Sequence, residues 1–153
     1  MGAIKLGREK IMKNLVIVHS DGASRGNPGS AAIAVIIWDE NKTAILEEYS
    51  KSIGETTNNV AEYKSLIIAL EIAGKHTSKE VHIFMDSKLV INQMNSNYKV
   101  KKAHLRELHQ KANDLAKSFE KVIYTHVPRT NKYQKQVDKI VNLELDKQKC
   151  CRQ

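Results

Sequence analysis

Cysteine is scarce in this sequence, and the two present, Cys150 and Cys151, stand side by side near the C-terminal end. They form neither a spaced disulfide framework nor a spaced zinc-ligand set, a pattern that fits a reducing compartment such as the cytoplasm. Long apolar runs are missing too, so nothing in the sequence reads as a membrane-crossing helix. The basic segment Met1–Lys13 lacks the continuous apolar centre of a signal peptide. It reads as a disordered lead-in over residues 1–13, outside the fold. Acidic residues are the scarcer charge, 17 against 25 lysines and arginines, which leaves a net charge of +8. That balance favours anionic partners such as nucleic acid, although small lysine-rich proteins are also basic for solubility alone. What is present suffices for one domain: 153 residues, 41% hydrophobic and 27% charged, long enough to bury a core without covalent staples. The domain is assigned to residues 14–148 and a frayed tail to 149–153, with a monomer expected.

The hydrophobic pattern changes period along the chain. Leu15–Ser20 is an apolar run ending in Asp-Gly, a strand and then a turn. Asp21–Ser30 (DGASRGNPGS) reads as a loop, Ala31–Trp38 as a second strand and Thr43–Ile53 as a third, an antiparallel meander. From Val60 to Gly74 the spacing becomes helical and apolar around much of the girth, with Gly74 as its stop. Val81–Met85 is a short strand and Ser87–Asn95 a short helix. Ala103–Phe119 is a longer amphipathic helix and Lys121–Val127 the last strand. Pro128–Gln134 reads as a polar loop and Lys135–Lys147 as the final helix. Three strands followed by alternation predict an α/β fold with a five-stranded mixed sheet and helices packed on it.

Four acidic residues sit at element boundaries: Asp21, Glu62, Asp86 and Asp138. Each has an ordinary explanation. Asp21-Gly22 suits a tight turn. Glu62 could close a capping box with Asn59 as N-cap. Asp86 could cap the helix that begins at Ser87, and Asp138 could favour the positive end of its helix. Two details count against these explanations. Glu62 shares a helical face with Leu66, Ala69 and Ala73, a core-facing stripe where an unpaired carboxylate is costly. Asp86 ends a strand that should be covered on both faces. Carboxylates gathered at neighbouring strand ends repel one another unless a cation binds between them, and hard oxygen ligands suit Mg²⁺ or Mn²⁺.

Taken in order, SDGASRGNPG at Ser20–Gly29, TNNVAEY at Thr57–Tyr63, DSKLVINQMN at Asp86–Asn95, YKVK at Tyr98–Lys101, VPR at Val127–Arg129 and then Val137-Asp138 resemble the successive motifs of type 1 ribonuclease H. The likeness is greatest to compact archaeal and bacterial members, and it spans about Leu15 to Asp146. It implies a ribonuclease H-like fold with helices on both sheet faces. It also implies cleavage of the RNA strand of an RNA–DNA hybrid by two Mg²⁺ or Mn²⁺ ions, leaving a 5′-phosphate and a 3′-hydroxyl. By the same resemblance Asp21, Glu62, Asp86 and Asp138 are the metal ligands. Asp21 would bridge both ions, Glu62 and Asp86 would share one, and Asp138 would hold the other. Two ions roughly 4 Å apart can activate the attacking water and stabilise the leaving oxygen. The substrate contacts carried over are Gly22, Ser24, Asn27, Thr57, Asn58, Asn59, Ser87 and Lys88, with RNA told from DNA by its 2′-hydroxyl and little sequence preference.

The chain departs from the family pattern in three places. Lys88 stands where many relatives carry glutamine. Asn95–Lys102 is too short for the basic protrusion of some bacterial members, so Lys99, Lys101, Lys102 and Arg106 are candidates to substitute. The loop before Asp138 is about two residues longer, and Arg129, with His126 as a weaker candidate, occupies the place of a histidine that assists metal exit in some relatives. Three other readings stand beside this one: a recombinase-type, junction-cutting or reverse-transcriptase-type nuclease on the same fold, a catalytically silent nucleic-acid-binding module, and a basic α/β protein with capped helices and no nucleic-acid role.

Overall fold

The computed structural model describes residues 12–152, with side chains to residue 148. Most of the 1–13 lead-in therefore lies outside the described residues, and so does Gln153. The elements are β1 (Lys13–Gly26), β2 (Gly29–Asp39), β3 (Ile45–Thr56), α1 (Asn58–Ala73), β4 (Thr77–Met85), α2 (Lys88–Met94), α3 (Ala103–Ala116), β5 (Lys121–His126) and α4 (Lys132–Arg152). One five-stranded sheet has the order β3-β2-β1-β4-β5. The β1–β2 and β2–β3 pairs are antiparallel, and β1–β4 and β4–β5 are parallel. The expected mixed sheet and element order are both present.

Strand periodicity explains the two layers. Successive side chains of a strand point to opposite faces. Val16 and Val18 of β1, with Val35 and Ile37 of β2, join a large core built with α1, α2 and α3. Ile17 of β1 and Ala34 and Ile36 of β2 join a smaller core against Val137, Val141 and Leu145 of α4. A sheet covered on both faces needs continuous apolar strands, which is why β1 and β2 read as unbroken runs.

The structure differs from the sequence reading at several boundaries. The segment Asp21–Ser30 is mostly not loop: β1 continues to Gly26, and the pairing runs unbroken from Asp21↔Ala34 to Gly26↔Gly29. Its small, polar composition hid strand pairing that depends on the facing chain. Gly26 turns the hairpin with φ +107°, a conformation glycine adopts without steric cost. Lys13, assigned to the lead-in, already pairs with Thr77. Gly74 does end α1, as its C-cap, and does so in right-handed geometry, φ −62°. The last helix begins at Lys132, because Asn131 Oδ1 accepts hydrogen bonds from the Tyr133 and Gln134 amides. It runs on to Arg152, past the expected end at Lys147 and into the segment assigned to a frayed tail.

A candidate metal centre beside the central strands

Asp21 lies within β1, paired with Ala34, and is 5% exposed. It does not sit in a tight turn. Gly22 is required next to it by close packing: a Cβ there would lie 2.2 Å from the Ala61 carbonyl oxygen of α1. That approach presses the first turn of α1 onto β1 and brings Glu62 beside Asp21. The Gly22 amide donates to Glu62 Oε1 at 2.8 Å. No capping box forms. Thr57 is the N-cap of α1, accepting from the Val60 amide at 3.3 Å, and Glu62 is left to face the sheet with 4% exposure. Its stripe partners Leu66, Ala69 and Ala73 are fully buried. Asp86 follows the end of β4 and is not a cap either, since Ser87 caps α2 through the Val90 amide at 3.2 Å. Asp138 stands in the second turn of α4, so a helix-end role does not account for it.

One oxygen from each of Asp21, Glu62 and Asp86 lies within 4.8 Å of the others. The three carboxylates share a cleft of about 450 Å³ with Gly22, Asn58, Ser87, Lys88 and Arg129. Asp138 is outside this trio, but its negative charge acts on both Asp21 and Asp86. Burial, then the charges of Glu62 and Asp86, push Asp21 far above the ordinary carboxylate range. Burial raises Glu62 and Asp86, the latter against the opposing pull of Arg129, whose Nε is 3.9 Å from Asp86 Oδ2. Buried carboxylates crowded this closely either hold protons or hold a cation. All the donors are hard oxygens, the set that suits a small divalent ion. The cluster is thus consistent with divalent-metal use.

The remaining expected residues divide between two places. Ser24 and Asn27, on the β1–β2 hairpin, meet α1: the Ser24 amide donates to Asn58 Oδ1 at 3.3 Å, and the Asn58 amide donates to Asn27 Oδ1 at 3.0 Å. Asn59 faces a neighbouring groove of about 560 Å³ that also holds Tyr98, Lys99, Lys101 and Lys102. Thr57 serves the α1 cap. His126 is exposed at the end of β5 and lies outside the carboxylate cleft. Sequence reasoning passed over His19 and Gln134, both fully buried. The signal was there, since His19-Ser20 interrupts an apolar strand and a buried polar group demands a partner.

The sheet order and the carboxylates clustered where β4 ends beside the central strand β1 define a protein of the ribonuclease H fold. The model of a family described as reverse transcriptase-like matches residues 19–141. The bifunctional protein Rv2228c of Mycobacterium tuberculosis is 41% identical over 132 residues, which are 86% of this chain and 35% of that protein. The solved structure of its N-terminal ribonuclease H domain, a fusion with maltose binding protein, superposes with a TM-score of 0.87 at 37% identity, covering 92% of this chain and 100% of that one. Ribonuclease H1 of the archaeon Halobacterium salinarum gives a TM-score of 0.82 at 35% identity, with coverage of 87% and 98%. The LC11 ribonuclease H1, solved in complex with an RNA/DNA hybrid, gives 0.78 at 42% identity, with coverage of 86% and 97%. The chain belongs to the reverse transcriptase-like family, and its similarities run to type 1 ribonucleases H of bacteria and archaea. It spans about a third of the length of the first curated relatives it matches.

Proposed function

We propose that the chain, through its domain at residues 14–148, is a metal-dependent endoribonuclease that hydrolyses the RNA strand of RNA–DNA hybrids with little sequence preference. The observation that carries this reading is the trio Asp21, Glu62 and Asp86, whose oxygens lie within 4.8 Å in an open cleft. With Asp138 they are the residues that would hold two Mg²⁺ or Mn²⁺ ions. Such ions, when bound, supply a water of lowered pKa and charge stabilisation for the leaving 3′ oxygen. The chain's own groups do the rest. Glu62, anchored by the Gly22 amide, keeps one oxygen for the site or for a ribose 2′-hydroxyl. Lys88 and Arg129 bring positive charge to phosphates at the cleft, and phosphate contacts position a duplex without reading its sequence. Ser24, Asn27, Asn58 and Asn59 offer amides and carbonyls to sugar edges, Thr57 and Ser87 hold the helix starts that present them, and Lys101 and Lys102 in the next groove add charge for the partner strand. The reading extends to a monomer working in the cytoplasm, which rests on the cysteine pattern and composition alone.

A labelled RNA–DNA hybrid tests the proposal. The expected result is cleavage of the RNA strand in Mg²⁺ or Mn²⁺, none in EDTA, and none by Asp21→Asn with the fold intact. Comparable cutting of DNA–DNA would favour a recombinase-type nuclease. Binding without cutting in either metal would favour a silent module.

A further inference from the structure

A polar chain, buried at His19 and Gln134 and half-buried at Lys42, runs close to Asp21 on the α4 side of the sheet. Lys42 Nζ, from the β2–β3 turn, lies 3.4 Å from His19 Nε2, and His19 Nδ1 lies 3.0 Å from Gln134 Oε1. Gln134 Nε2 donates to the Ser20 carbonyl at 2.9 Å. A lysine ammonium has only protons to give, so the direction of the chain is set. Lys42 donates to His19 Nε2, His19 donates from Nδ1 to Gln134 Oε1, and the Gln134 amide is thereby turned with its N–H toward Ser20. Aromatic packing fixes the same arrangement. His19 stacks on Phe84 at 4.9 Å, and Lys42 Nζ sits 4.0 Å from the centre of the Tyr133 ring.

Its position gives the chain a task. The parallel β1–β4 ladder ends at His19↔Phe84, so Ser20, the residue before Asp21, lies just past the last β4 pair. Gln134 takes its carbonyl there. Gln134 is also in the first turn of α4, four residues before Asp138, and residues at that spacing share a helix face. The Gln134 amide therefore ties the strand that bears Asp21 to the helix that bears Asp138. We propose that Gln134, oriented by His19, is a positioning residue that sets the separation of Asp138 from Asp21 and so the affinity of the site for divalent ions. This rests on the metal-site reading above. Neither residue touches the cleft, so any effect must pass through the carboxylates they align.

The test is Mn²⁺ binding measured by calorimetry without nucleic acid, together with hybrid cleavage and melting temperature, in the parent chain, Gln134→Leu, and the double variant His19→Phe/Gln134→Leu. The double variant removes both sides of the His19–Gln134 contact and keeps the ring on Phe84, leaving the Ser20 carbonyl and the half-buried Lys42 ammonium as the groups that lose a partner. Its melting temperature should therefore exceed that of the single variant, and it carries the measurement if the single variant folds poorly. Losing a group that orients metal ligands weakens metal affinity by roughly tenfold or more. That loss is expected in both variants, with the KM for hybrid unchanged at saturating Mn²⁺. Parent-like Mn²⁺ affinity in the double variant would overturn the proposal, because affinity would then follow stability alone. A parent that binds Mn²⁺ but cuts no hybrid would overturn the nuclease reading, while the binding series still decides the role of Gln134. A parent that binds no Mn²⁺ would overturn both.

Discussion

Replacing Asp21 by asparagine should abolish cleavage and yet stabilise the metal-free protein. Asp21 is 5% exposed among like charges, and burial, Glu62 and Asp86 raise its pKa from the ordinary 3.8 to beyond neutrality. Between 3.8 and that raised value the folded state keeps a proton the unfolded state releases, so stability present at low pH is lost as pH rises. At pH 7 the loss is about 1.36 × (7 − 3.8), or ~4 kcal/mol. Water entering the cleft lowers it toward ~2 kcal/mol. Asparagine is nearly isosteric, carries no charge and can donate to Glu62 as the protonated acid does. In EDTA at pH 7 the variant should therefore melt roughly 5–15 °C above the parent, at about 2–4 °C per kcal/mol, and at pH 4 the gain should nearly vanish. Thermal denaturation followed by circular dichroism at both pH values measures it. An equal or lower melting temperature at pH 7, or the same gain at pH 4, would refute the electrostatic account of the site.

Three further outcomes follow from the geometry. Gly22→Ala places a Cβ 2.2 Å from the Ala61 carbonyl, so it should cost about 1–3 kcal/mol by overpacking and reduce kcat sharply as α1 is pushed from β1; thermal melts and steady-state assays read both. Lys101→Ala/Lys102→Ala, in the groove beside the cleft, should raise KM for hybrid several-fold with kcat nearly unchanged, and should flatten the salt dependence of binding by about one to two units of logarithmic slope; a loss confined to kcat would contradict this. Arg129→Ala removes the cation that lowers the Asp86 pKa. Asp86 then holds its proton to higher pH, so half-saturation by Mn²⁺ should weaken more at pH 6 than at pH 8, and a shift independent of pH would rule the effect out.

How much of this was legible in the sequence depended on how local the cause was. The unbroken apolar runs through Val16–Val18 and Val35–Ile37 and the helical stripe through Glu62, Leu66, Ala69 and Ala73 are properties of neighbouring residues; the runs supply both cores and the stripe is buried. The ordered motifs named the carboxylates, yet the ordinary explanations for them failed only in three dimensions. Glu62 is freed from capping because Thr57 caps α1, and Asp86 because Ser87 caps α2. The hairpin past Asp21 was misread as loop because its composition is glycine-rich and polar, while its pairing belongs to β2. The His19–Gln134 contact joins residues 115 apart, and no pattern within one window carries such a distance.

The β1–β2 ribbon outruns its neighbour. Pairing with β4 stops at His19, while pairing with β2 continues seven residues farther, to Gly26. Arg25 near the tip is strapped to α4 through Asp146 at 2.7 Å, and Asn27 to α1. β3 keeps pace with the ribbon, Thr56 lying opposite Gly29, so any change in the length of this extension must be matched in three strands and in both helix ties, and the acid at its root is held by that shared frame.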